Sequence, residues 1–338
     1  MKRRRLGRTG LTVSEIGIGT MTFGSMADEA ASLRILDRAF DAGVDLVDAA
    51  EIYPVPPDAS WVGRTEEIVG KWLAGRARDA VILATKVAGP LGGWFQAPLR
   101  HGKTSLDRHH VMRACEESLR RLGTDYVDLY QTHWPDADVP IAETLEALDR
   151  LVEEGKVRYV GCSNQSCWGL AESLWQAEKH GTARYETIQN NFSLLNRRFE
   201  DELAACCRAQ GVSLLAYSPL AGGVLSAKYQ GGAWPDGARF ARYREHSPRT
   251  KVMAARFVSE ATLAATERLA EVAESCGLAL PTLAVAWTLT RDFLGAALVG
   301  ATSPEQLDAT LTAADATLPP DALARIDAIS REIRYPMG

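Results

Sequence analysis

Between residues 15 and 299 the chain alternates a short apolar run with a helical stretch, and does so eight times. No other feature restricts the fold as strongly. Regular strand–helix repetition builds a parallel sheet, because each helix must carry the chain back to start the next strand in the same direction. The runs are Glu15 to Thr20 (EIGIGT), 45–49 (DLVDA), 81–87 (VILATKV), Val127 to Gln131, Val157 to Gly161, Glu186 to Gln189, Val212 to Tyr217 and Ala297 to Val299. Helical spacing of apolar residues is expected over 29–42, 65–74, 107–121, 141–154, 167–178, 200–209, 260–275 and 281–291. Gly43 closes the first of these helices.

Eight units in 338 residues fit a (β/α)8 TIM barrel. A doubly wound sheet is the alternative, but it shows a glycine-rich turn after its first strand. Residues 17–24 (GIGTMTFG) lack the G-x-G-x-x-G spacing. Ahead of the first unit, two strand-like runs flank Gly7-Arg8-Thr9-Gly10, which predicts an N-terminal β-hairpin cap. No charge run or Ser/Pro-rich linker divides the chain, so residues 1–338 are expected to form a single barrel domain. Long loops are expected after core strands 3 and 7, over 88–106 and 218–259, where binding loops or lids occur.

Composition excludes several function classes. A net charge of −5 argues against nucleic-acid binding, and Lys2-Arg3-Arg4-Arg5 reads as a solvated strand end. No run approaches the ~18 apolar residues of a membrane span. No apolar stretch follows the basic N-terminus, so no secretory signal is read there. None of the six cysteines (Cys115, Cys162, Cys167, Cys206, Cys207, Cys276) forms a C-x-x-C pair. Buried, reduced thiols in a cytoplasmic protein are expected, with no metal site. His109-His110, at a helix start without a spaced carboxylate, reads as surface.

Active residues of such barrels sit at the C-terminal ends of the strands. Here core strand 2 ends in Asp48 with Tyr53 five residues on, core strand 3 ends in Lys86, and core strand 4 is followed by His133. Lysine is seldom buried unpaired, so Asp48 is expected to hold Lys86 charged. Tyrosine, with a reference pKa of about 10, gives up its proton reluctantly. The neighbouring ammonium is expected to lower that pKa. His133 is placed to hydrogen-bond a carbonyl oxygen or relay protons. The set reads as a general acid for an oxygen that gains charge as a carbonyl is reduced. A hydride source is then needed. Ser163, Asn164 and Gln189, after core strands 5 and 6, suit a nicotinamide carboxamide. Tyr217, ending core strand 7, suits stacking on the ring. The stretch LAGGVLSAK (220–228) suits a pyrophosphate. Trp134 and Trp94 lie at the functional mouth and are candidate substrate walls, together with Tyr53 and His133.

These residues resemble the aldo-keto reductases, most closely their Tas-type branch. The match runs through LGRTGLTVSEIGIGTMTFG, DAAEIYPVPP, ILATKV, LRRLGTDYVDLYQTHWPD, GKVRYVGCSN, IQNNFSLLNR, LLAYSPLAGGVLSAKY and VGATSPEQL. The resemblance implies NADPH-dependent reduction of an aldehyde or ketone, of sugar type among others. It implies a tetrad of Asp48, Tyr53, Lys86 and His133. It places Thr20, Met21, Asp48, Ser163, Asn164, Gln189, Tyr217 and Ser218 around the nicotinamide half of NADP(H). Leu220, Gly222, Leu225 and Lys228 would line the pyrophosphate, and Gly300, Thr302 and Gln306 the adenosine end. Two departures stand out. Ala309 and Thr310 replace the usual Glu-Asn pair, and no basic residue lies near Gly300 or Ser303. Arg239, with Arg242 behind it, is the candidate cation for the 2′-phosphate; NAD(H) is the alternative if neither reaches. Two other readings stay open: a cofactor-sensing channel subunit with little turnover, and a barrel hydrolase or isomerase without nicotinamide. The small-molecule carbonyl substrate and the oligomeric state are not legible.

Overall fold

The computed structural model describes residues 1–91 and 98–337. Among the described residues there are ten strands: β1 (Arg3–Arg5), β2 (Thr12–Ser14), β3 (Ile16–Gly19), β4 (Leu46–Asp48), β5 (Ile82–Val87), β6 (Val127–Thr132), β7 (Val157–Ser163), β8 (Tyr185–Asn191), β9 (Ser213–Tyr217) and β10 (Leu294–Val299). Strands β3 to β10 close into a parallel barrel in sequence order, β10 pairing with β3. The barrel therefore has no free edge. β1 and β2 form the antiparallel hairpin. Leu6, Leu11 and Val13 of the hairpin pack with Leu46, Ala84, Leu129 and Leu215 inside the barrel.

The helices are α1 (Glu29–Asp41), α2 (Arg64–Leu73), α3 (Arg108–Leu122), α4 (Ile141–Glu153), α5 (Cys167–His180), α6 (Leu203–Gln210), α7 (Arg239–His246), α8 (Pro248–Phe257), α9 (Glu260–Ser275), α10 (Leu280–Leu289), α11 (Asp308–Leu311) and α12 (Pro320–Glu332). Asp28, Asp107 and Ser166 cap α1, α3 and α5 by accepting from backbone N–H groups. Gly123, Gly181 and Gly211 end α3, α5 and α6 in the left-handed region, where a side chain would be strained.

Several expectations are corrected. The stretch 218–259 is not a plain loop, because it contains α7 and α8. Ser247 caps α8 in a capping box with Thr250, and Pro248 opens it. That Ser-Pro signal was available in the sequence. The final helix α12 was also missed. Arg4 is no solvated strand end: it donates to Leu289 O, Arg291 O and Leu294 O and meets Glu15. Cys167, Cys206 and Cys276 are only half-buried, though all six thiols are free. His110 has a carboxylate partner after all, its Nδ1 lying 2.5 Å from Asp107 Oδ2. Among the described residues, no single helix is long and apolar enough to cross a membrane.

Candidate active site

The site grows from the C-terminal ends of β4, β5 and β6. Parallel register sets Asp48 beside Ala84 and Lys86 beside Gln131. Lys86 Nζ donates to Asp48 Oδ2 at 2.6 Å and to Ala49 O at 2.8 Å. It lies 3.5 Å from Tyr53 Oη. Gln131 Nε2 and Gln189 Nε2 both donate to Asp48 Oδ1, at 3.1 and 2.8 Å. Asp48 is thus saturated, as a buried carboxylate must be. Gln131 was read only as a strand end. Its sign was positional: a polar residue facing Lys86 across a parallel pair.

His133 follows β6, with its backbone N–H on Val87 O. Its ring meets Tyr53 edge-on, with centroids 5.6 Å apart. Trp134 stacks on the His133 ring, with centroids 5.9 Å apart, and is exposed. Burial, then the Lys86 charge, hold the His133 pKa well below the usual imidazole value. The ring is neutral, and its buried Nδ1 has no partner among the described residues.

The expectation for Tyr53 is overturned in sign. Its phenol is pushed well above the usual range, first by burial and then by the Asp48 charge, with Arg239 opposing. Asp48 answers Lys86 at 2.6 Å, so the pull of the ammonium on the hydroxyl is offset. Tyr53 is held as the protonated phenol. Lys86 itself is lowered from the ordinary lysine value by burial, against the attraction of Asp48.

Across the barrel mouth, Ser163 Oγ donates to Gln189 O at 2.7 Å. Asn164 Nδ2 donates to His133 O, and Asn164 Oδ1 accepts from Tyr217 Oη at 2.8 Å. Asn164 and Ser218 have φ of 56° and 57°, a region unfavourable for residues other than glycine. Such strain gathers at ligand clamps.

These groups share one cavity of about 910 Å³. It runs from Asp48, Tyr53, His133 and Trp134, past Met21, Ser163, Asn164, Gln189, Tyr217 and Ser218, to Leu220, Gly222 and Lys228, and reaches Gly300, Thr302 and Gln306. Three candidates fall outside the lining: Lys86, fully buried behind it, Thr20 and Leu225. Thr20 is buried, its hydroxyl donating to Asp48 O, and Leu225 is packed in the core. Trp94 lies outside the described residues. The cavity also brings in residues not singled out from sequence: Asn191, Met253, Arg256 and Phe257. Asn191 ends β8, and Met253, Arg256 and Phe257 lie on α8, which lines the cavity together with Arg239, Phe240 and Tyr243 of α7.

The chemistry of the lining fits a nicotinamide dinucleotide. Asn191 Oδ1 is a buried acceptor without a partner among the described residues. Gly222 and Gly223 have φ of 65° and 101°, and a Cβ on Gly223 would come within 3.1 Å of Lys228 Nζ. Lys228 and Arg239 have no ion-pair partner among the described residues, which suits them to phosphates. At the far end Gln306 Oε1 accepts from Thr302 N at 3.0 Å. Among the described residues no group of three metal-ligating side chains occurs.

The pattern of the Aldo/keto reductase family matches residues 15–331. The chain is similar to the protein Tas of Escherichia coli, 38% identical over 99% of each chain. It is similar to the oxidoreductase YrpG of Bacillus subtilis, 35% identical over 97% of this chain and 96% of that one. It is also 32% identical, over the same shares, to a probable voltage-gated potassium channel subunit beta of Oryza sativa.

Proposed function

From the premise that the chain belongs to the aldo/keto reductase family, an oxidoreductase family acting on carbonyls, we propose that it reduces an aldehyde or ketone with NADPH. The observation that carries this reading is the buried Asp48–Lys86–Tyr53 chain beside a neutral His133 on the cavity wall. When bound, the reduced nicotinamide supplies the hydride. The residues manage the proton. Tyr53 keeps its proton at neutral pH and gives it to the carbonyl oxygen as charge develops there. Lys86, 3.5 Å away, stabilises the phenolate left behind, while Asp48 fixes the ammonium. A neutral His133 donates its single N–H to the same oxygen and orients it.

Ser163, Asn164, Gln189 and Asn191 would hold the carboxamide, and Tyr217 the ring face. Gln189 has committed its amide nitrogen to Asp48, which leaves its carbonyl oxygen for a ligand N–H. Lys228 and Arg239 would meet the phosphates. Trp134, Ile52, Val55, Met253 and Phe257 would wall the substrate. Mixed apolar and aromatic walls favour aliphatic or aromatic carbonyls over bare sugars. Consumption of NADPH against a panel of aliphatic, aromatic and sugar carbonyls tests the proposal, and no turnover of any class would sink it. The channel-subunit relative supports a second reading, cofactor sensing. Tight NADPH binding without turnover would favour it.

A further inference from the structure

The charged side chains between the barrel wall and the outer helices are not all solvated. Glu51 is closed to solvent and Arg100 nearly so. Arg100 Nη1 donates to Glu51 Oε2 and Nη2 to Oε1, both at 2.8 Å. This is the two-pronged geometry in which arginine binds carboxylate most strongly. Glu117 lies 3.6 Å from the same guanidinium. Neither Glu51 nor Arg100 lines the cavity.

Glu51 lies between Asp48 and Tyr53 in sequence and is tied to β5 twice. Its N–H donates to Lys86 O at 3.2 Å, and its Oε1 accepts from Ala88 N at 2.6 Å. Two further bonds complete the ladder, Ala49 N to Ala84 O and Lys86 Nζ to Ala49 O. These bonds hold the Ala49–Glu51 stretch, just before Tyr53, against the end of β5. The Glu51 carboxylate is the one charged member of the ladder that does not come from the tetrad, and Arg100 neutralises it. Arg100 and His101 have φ of 46° and 58°. Left-handed backbone is unfavourable for residues other than glycine. It persists only where surrounding contacts over-determine it.

We propose that Arg100 is a positioning residue: paired with Glu51, it locks the Ala49–Tyr53 turn onto the end of β5 and so sets the Tyr53–Lys86 spacing. This rests on the reductase reading for its kinetic arm only. Arg100→Met alone strands a buried carboxylate and is expected to unfold readily, so the Glu51→Leu/Arg100→Met pair is the informative variant. Replacing a buried ion pair by apolar side chains of similar size is often neutral for stability. The pair leaves Ala88 N–H without its acceptor, so it is expected to melt a little below the wild type but to stay folded, and to bind NADPH within about twofold, since Ser163, Asn164, Gln189, Lys228 and Arg239 lie on other elements. Its kcat/KM for a carbonyl should fall roughly tenfold or more, since a misplacement of ~1 Å can cost 10²-fold. The fall should lie in kcat, with a larger isotope effect from deuterated NADPH. Arg100→Lys should recover part of the loss. A crystal structure of the pair should show Tyr53 Oη displaced from its 3.5 Å separation to Lys86. Wild-type kcat and isotope effect in the folded pair would overturn the proposal. A wild-type chain without carbonyl turnover would sink the reductase reading instead, and an unchanged Tyr53–Lys86 separation would then overturn the positioning role by itself.

Discussion

Lys86 Nζ lies 2.6 Å from Asp48 Oδ2, and neither side chain opens to solvent. Breaking such a pair from one side leaves a buried charge, at a cost of about 3–5 kcal/mol. Lys86→Met should therefore lose stability as well as turnover. Asp48→Asn/Lys86→Met should regain most of the stability in urea unfolding but none of the turnover. Recovery of both would show that the lysine serves packing alone.

Tyr53→Phe removes one hydroxyl from a site otherwise closed by Lys86, Asp48 and His133. A positioned general acid contributes about 10²–10⁴-fold. A loss in that range is expected when chemistry limits the rate, with NADPH affinity kept. Near-wild-type kcat under those conditions would remove Tyr53 from the mechanism.

His133 makes stability depend on pH in a defined direction. Its folded pKa lies well below 6.5, whereas the unfolded chain takes the proton near 6.5. Below pH 6.5 the unfolded state holds more protons, so this group's contribution is lost as pH falls through that window. His133→Asn should flatten that part of the melting-temperature profile. An unchanged acid slope would show that other groups set it.

Arg239 opens α7 and lines the cavity. For Arg239→Ala, a loss of NADPH affinity of roughly tenfold is expected, matching one charge-assisted contact. NADH binding should change little if the arginine meets the 2′-phosphate. Equal losses for both cofactors would move it to the pyrophosphate, and a loss confined to carbonyl KM would make it a substrate residue.

The barrel was legible because its signals are local. Alternating apolar runs and helical spacing are properties of neighbouring residues, and eight of them in order leave few topologies. The positions of Asp48, Tyr53, Lys86 and His133 followed, since each closes or follows a strand whose end is the mouth of the barrel. What stayed hidden depends on residues far apart in the chain. Gln189 reaches Asp48 across 141 positions, and Arg100 reaches Glu51 across 49. Helices α7 and α8 bury few of their residues and carry many arginines, so their apolar periodicity is faint. The sign of the Tyr53 shift was decided last of all. A sequence can place an ammonium near a phenol. Only the folded walls around both determine how much water is excluded, and here desolvation outweighs the charge that Asp48 has already answered.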